Sequence, residues 1–147
     1  MIAIINGPNL NLLGKRQPEI YGNNTFEDFL RKLRQQFPLI PLEFFQSNSE
    51  GEIIDQIHKL GYETPDCTGI VINPGAYSHY SYAIADAIAA ISLPVVEVHI
   101  SNIMGRETFR HQSVTAPYCK GMLTGFGLEG YAMAVNFLLS SREKPSL

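Results

Sequence analysis

Residues 2–22, IAIINGPNLNLLGKRQPEIYG, decide how the rest of the chain is read. Ile2-Ala3-Ile4-Ile5 is a short apolar run without alternation, the pattern of a strand buried on both faces. The chain leaves it through Gly7-Pro8 and enters a long loop displaying asparagines, the Lys15-Arg16 pair and Tyr21. A helix signal begins only at Thr25. Connections in compact domains usually run about 4–6 residues, and longer ones are often lids or binding loops. A long loop hung directly on the first buried strand is therefore the first suspect for an active site, and we read it as the source of a catalytic base.

Working outward, strands and helices alternate. Thr25-Phe26-Glu27-Asp28 has capping-box spacing, and Phe26, Phe29, Leu30, Leu33 and Phe37 fall on one helical face until Pro38 and Pro41 end it. Leu42–Phe45 reads as the second strand. Ser49-Glu50-Gly51-Glu52 repeats the cap and leads into Ile53, Ile54, Ile57 and Leu60, with a stop at Gly61. Gly69–Ile72 is the third strand, broken by Asn73-Pro74-Gly75. An alanine-rich helix over 81–91 stops before Pro94. Val95–Ile100 is the fourth strand and Met122–Thr124 a short fifth. Leu128, Tyr131, Ala132, Val135, Leu138 and Leu139 form a closing amphipathic helix. Nearly continuous apolar strands alternating with helices imply a parallel sheet covered on both faces. Five such units fit an α/β, flavodoxin-like three-layer sandwich with a five-stranded parallel sheet of order 2-1-3-4-5. No repeat or linker divides the chain, so residues 1–147 read as one domain with a frayed tail over 142–147.

Bulk properties narrow the class. The chain has 147 residues, 45% of them hydrophobic and 17% charged, which suits a globular domain with a substantial core. A net charge of -3 and a pI near 5.8 argue against nucleic acid or a membrane surface as partner. Nothing at the start reads as a secretory signal, and no apolar run is long enough to span a bilayer. Cys67 and Cys119 lie far apart without CxxC spacing and read as reduced thiols in a cytoplasmic protein rather than a redox pair.

Ligands in open α/β sheets bind beyond the carboxyl ends of the strands, where the strand order reverses. In this chain those ends release 6–21, 73–79 and 97–99. Glu97 and His99 lie two apart on an otherwise apolar strand, so their side chains share one face, and a carboxylate beside an imidazole fits an oriented general acid. Neither His58 nor His111 has metal-ligand spacing with them, so no metal is expected. Tyr21 follows Arg16 by five residues, with Pro18 stiffening the path. A free tyrosine has a pKa of about 10, so a tyrosine base near neutral pH needs a cation beside its phenolate. An arginine stacked on an aromatic lid is the alternative for that pair. Asn9, Asn11 and Asn73 are either turn residues or, for Asn9 and Asn73, polar groups facing one crevice. Arg106 and Arg110, at i,i+4 spacing, would share a face of a helical turn, as solvated charges or as a clamp for an anion or hydroxyl. Ser101 and Asn102 suit the cap of that turn, and Ser78-His79 opens the third helix in the same manner.

These stretches carry a resemblance. NGPNLNLLGKRQPEIYG (6–22), INPGAYSH (72–79), EVHISN (97–102) and GRETFRH (105–111) are similar, in order, to the motifs of type II 3-dehydroquinate dehydratases, over residues 4–139. The resemblance implies the flavodoxin-like fold, no metal or organic cofactor, and anti elimination of water from 3-dehydroquinate to 3-dehydroshikimate through an enolate, in the shikimate pathway of aromatic amino acid biosynthesis. It implies Tyr21 as base, Arg16 as the cation lowering its pKa, Asn9 as holder of the water at the enolate oxygen, and His99 as general acid oriented by Glu97. It further implies Asn73 and the backbone of Ile100 and Ser101 as carboxylate ligands, and His79, Arg106 and Arg110 as contacts to ring hydroxyls or the lid, Arg110 the more direct. Residues 13–21 would be that lid. Asp86 would reach a neighbouring subunit's site in a homo-oligomer, trimers assembled into a dodecamer. The chain departs from the family pattern at Gly105 and Thr108, where Ala and Glu are frequent, and at Tyr80, where a smaller residue is common.

Two other readings compete. A Schiff-base dehydratase would need a desolvated lysine at a strand end, and no lysine lies there. A flavodoxin-like FMN-binding or phospho-receiver module would need a Ser/Thr-rich first loop or an aspartate after strand three; this chain has an Asn/Leu-rich loop and Asn73.

Overall fold

The computed structural model describes residues 1–15, 19 and 25–142. Five strands, β1 (Ile2–Asn6), β2 (Leu42–Gln46), β3 (Gly69–Asn73), β4 (Val95–His99) and β5 (Gly121–Thr124), form one sheet of order 2-1-3-4-5. Every pairing is parallel. Among the described residues, four α-helices connect or close it: α1 (Phe26–Gln36), α2 (Glu50–Tyr62), α3 (Tyr82–Ala89) and α4 (Glu129–Ser141). This is the flavodoxin-like arrangement. The sequence reading of the tail falls almost wholly outside the described residues, which stop at Arg142 in a turn.

The central strands β1, β3 and β4 are buried along their whole length, which explains their unbroken apolar runs. Alternate residues serve two cores. Ile2, Ile4, Val71, Val96 and Val98 pack under α1 and α4 against Leu33, Tyr131, Val135 and Leu138. Ala3, Ile5, Ile70, Ile72 and Val95 face α2 and α3 through Ile53, Ile57, Leu60, Ile84 and Ile88. Each fully buried aliphatic side chain contributes about 1.5–3 kcal/mol relative to exposure. The odd-numbered positions of β4 belong to the α2/α3 side, and this sets where Glu97 and His99 emerge.

Caps fix where three helices start. Thr25 Oγ1 accepts the Asp28 N–H at 3.1 Å, Ser49 Oγ the Glu52 N–H at 3.3 Å, and Ser81 Oγ the Ile84 N–H at 3.0 Å. Gly61 does not end α2 as the sequence suggested, for the helix continues through it to Tyr62. Its lack of a side chain serves packing instead: a Cβ there would lie 2.2 Å from Ile91 Cγ2.

At the carboxyl rim the register pairs Asn6 with Gln46 on one side and Asn73 on the other. Gly7 brings the two exit loops into contact, donating its N–H to Asn73 O at 2.7 Å, and a Cβ on Gly7 would lie 2.6 Å from Pro74 O. Because β1 leads outward to β2 and β3 lies on its opposite side, the two loops diverge beyond that contact and leave a crevice. Among the described residues, no helix is long and apolar enough to cross a membrane.

Candidate active site

A cavity fills that crevice. Its described lining comes from Pro8–Leu10, Leu12, Leu13, Asn73, Gly75, Ala76, His79, His99–Ser101, Ile103, Arg106 and Arg110. No described lining residue is acidic, while two arginines and two histidines face in, a field suited to an anion.

The β4 wall is the most elaborately built. Glu97 is fully buried, yet every donor around it is accounted for. Its Oε2 accepts from Ser113 Oγ at 2.7 Å and from His99 Nε2 at 2.8 Å, and its Oε1 accepts from Thr115 Oγ1. Ser113 Oγ in turn accepts the Ala116 N–H at 3.0 Å, which directs its own proton to the carboxylate. A carboxylate clamped by two hydroxyls takes the Nε2–H of His99, fixing the ring plane and tautomer. Nδ1 then has no partner among the described residues, on a side chain that lines the cavity. The His79 ring lies nearly parallel to His99, with centroids 6.2 Å apart. His79 Nδ1 donates to Gln112 O at 2.8 Å, and Val114 donates its N–H to Ser78 O at 2.7 Å, so the segment carrying Ser113 and Thr115 is tied to the loop after β3.

The β3 wall presents Asn73, 3% exposed. Its Oδ1 accepts the Gly75 N–H at 3.1 Å and its Nδ2 donates to Tyr131 OH at 2.9 Å. From β1 comes Asn9, in the left-handed region at φ 69°, where asparagine is among the better tolerated residues. Its N–H donates to Asn48 Oδ1 at 3.0 Å. Gln46 Nε2 donates to Gly7 O and Asn48 Oδ1, and Tyr77 OH to Asn48 O, so the loop after β2 braces the exit of β1. Beyond β4, the Ser101 N–H has no acceptor among the described residues and is available to a ligand. Arg106 donates to Ser101 Oγ at 3.2 Å, and Arg110 pairs with Glu107 while lying 4.7 Å over the Phe109 ring.

Of the residues singled out in the sequence, Asn9, Asn73, His79, His99, Ile100, Ser101, Arg106 and Arg110 all line this one cavity, and Glu97 lies behind His99. Asp86 stands apart, exposed on α3. Arg16 and Tyr21, with most of the 13–21 lid, fall outside the described residues. Three local expectations are corrected. Arg106 and Arg110 do not share a helical turn: Ile103–Gly105 and Thr108–Arg110 are separate 3₁₀ turns with Arg106 extended between them, and the arginines converge through loop geometry instead. Asn102 alone caps the first, accepting the Met104 N–H, while Ser101 Oγ accepts from Arg106. Ser78 and His79 do not open α3. They close a 3₁₀ turn, Gly75–His79, and Ser81 is the cap.

Nothing in the sequence pattern singles out Tyr131, Ser113, Thr115 or Asn48. Tyr131 sits where helical periodicity demands an apolar residue, so its hydroxyl carried no signal; the other three lie in loops without periodicity. The unaccompanied Ser-x-Thr after the arginine stretch was the only trace. No three His, Cys, Asp or Glu side chains among the described residues converge as a metal site.

Fold and site together define a parallel α/β domain with a cationic, imidazole-walled cleft at its switch point. A profile described as "Dehydroquinase class II" matches residues 1–139. The chain is 53% identical to the 3-dehydroquinate dehydratase of Bacillus licheniformis over 97% of this chain and 98% of the relative, and 55% identical to that of Bacillus subtilis over 95% and 93%. The crystal structure of type II dehydroquinase from Butyrivibrio crossotus superposes with a TM-score of 0.89 at 50% identity, covering 94% of this chain and 96% of that one. This chain belongs to the class II dehydroquinase family.

Proposed function

We propose that this protein is a type II 3-dehydroquinate dehydratase, a hydro-lyase converting 3-dehydroquinate to 3-dehydroshikimate by anti elimination in the shikimate pathway. The observation that carries the reading is the Ser113/Thr115-clamped Glu97 holding His99 Nε2, with the other imidazole nitrogen left to the cavity. In this reading, Tyr21 as phenolate, stabilised by Arg16, removes the proton beside the ketone. Charge builds on the carbonyl oxygen, where a water held by Asn9 supports the enolate. The enolate collapses and expels the hydroxyl, which the His99 imidazolium protonates from Nδ1–H, so water leaves and the ring becomes neutral with its Nε2–H still on Glu97. Glu97 keeps its place on Nε2 throughout and stabilises the imidazolium. A proton passed from Tyr21 to His99 through solvent resets the site.

The substrate carboxylate is taken by Asn73 and the Ile100 and Ser101 backbone, its ring hydroxyls by His79 and Arg110, with Arg106 toward the 13–21 lid, whose closure would exclude water. Asp86, exposed on its own subunit, suits a role in a neighbour's site within a dodecamer of trimers acting in the cytoplasm. No described lysine lines the cavity, which favours this route over a Schiff base.

The test is to follow the ultraviolet absorbance of the conjugated product from 3-dehydroquinate, alongside Tyr21→Phe and a borohydride control. Native turnover that survives borohydride, with a loss of about a hundredfold or more in the variant, is expected. Covalent trapping by borohydride would replace the enolate route with the lysine one, and no turnover would remove the reading.

A further inference from the structure

Beneath the cavity floor, on the α4 side of the sheet, three polar side chains form a one-way relay. The Gly75 N–H commits Asn73 Oδ1, so the amide nitrogen of Asn73 must turn toward Tyr131. Asn73 Nδ2 donates to Tyr131 OH at 2.9 Å, and Tyr131 donates its own O–H to Asn6 Oδ1 at 2.8 Å. All three residues are nearly or fully inaccessible to solvent, and burial pushes the Tyr131 phenol well above its ordinary range, so it stays a neutral donor. The relay ends in a loose end: Asn6 Nδ2 is buried with no partner among the described residues. A polar network in a core is costly when part of it is unpaired, so one that leaves a donor orphaned asks for a role other than stability.

We propose that Tyr131 is a positioning residue for substrate binding, acting through Asn73. The hydroxyl receives one Asn73 amide hydrogen and leaves the other, which has no acceptor among the described residues, for an anionic oxygen in the cavity. The Tyr131 ring holds that hydroxyl in place by packing edge-on to Phe26, 5.0 Å between centroids, at the start of α1. The inference rests on the proposed function, in which Asn73 meets the substrate carboxylate.

The experiment is a double-mutant cycle on 3-dehydroquinate turnover with Tyr131→Phe, Asn73→Ala and both together. Tyr131→Phe should raise KM about tenfold while kcat stays within about threefold, the signature of lost uniform binding. The double variant should be no worse than Asn73→Ala alone, because the hydroxyl then has nothing to orient. An unchanged KM in Tyr131→Phe, or losses that simply multiply in the double variant, would overturn the inference while leaving the dehydratase reading intact. No turnover by the native protein removes both. If Tyr131→Phe does not fold, Asn6→Ala, which deletes the acceptor at the far end, goes through the same cycle, with non-additivity expected and additivity contradicting the proposal.

Discussion

At the scale of the residue, the site turns on how a buried carboxylate is held. Glu97 lies in a shell in which each neighbour donates: two hydroxyls and one imidazole N–H. Glu97→Gln keeps the shape but replaces one acceptor with a donor, so at least one of those neighbours loses its partner and His99 loses its fixed orientation. We expect a fall in kcat of about a hundredfold, with the circular dichroism of the fold unchanged. A variant as active as the native protein would mean that His99 needs no anchor. How much of this was legible differs from residue to residue. Glu97 and His99 stand out because, although paired polar residues also occur structurally in cores, a carboxylate and an imidazole sharing one face at a strand's carboxyl end fit an oriented acid better. Ser113 and Thr115, which make that pair work, were silent because loop hydroxyls are ordinary. Tyr131 reads as core from its helical position, which holds for its ring and says nothing of its hydroxyl.

At the scale of the element, the strand ends do the positioning. Order and direction of all five strands follow from the alternation of apolar runs and helices, two of which Thr25 and Ser49 announce locally. What local patterns could not announce was close approach between elements distant in sequence. Gly61 resembled a helix stop and is a contact with Ile91; Arg106 and Arg110 had helical spacing and occupy two separate turns. Gly7 is the contact with most bearing on function. The exit loops of β1 and β3 touch there, with the Pro74 carbonyl oxygen where a Cβ would go. Gly7→Ala must push those loops apart, at about 1–3 kcal/mol. The expected result is a lower melting temperature together with a raised KM, because Asn9 and Asn73 stand on either side of the contact. A melting temperature equal to the native one would show that the loops separate freely.

At the scale of the whole molecule, the fold holds several weak acids in their neutral form. Burial, with Glu97 nearby, pushes the Cys119 thiol from 9.0 up to about 12; burial also raises Cys67, and the phenol of Tyr131. Above about pH 9 the unfolded chain releases the Cys119 proton while the native protein keeps it, so unfolding becomes easier as pH rises toward 12. Urea midpoints should therefore fall from pH 8 to pH 10.5, and Cys119→Ala should flatten part of that fall. A slope identical in the variant would assign the alkaline sensitivity elsewhere. The same environment makes both cysteines, which are free, slow to react with thiol reagents in the native protein.

The most direct test of the central claim is the steady-state rate of 3-dehydroquinate dehydration by the native protein and by His99→Ala, each shown to be folded. An imidazole that protonates the departing hydroxyl predicts ready turnover by the native chain and a loss of about 10²–10⁴ in kcat for the variant. Equal turnover by the two proteins would contradict the assignment of His99 as the acid, and no turnover by the native protein would contradict the function itself.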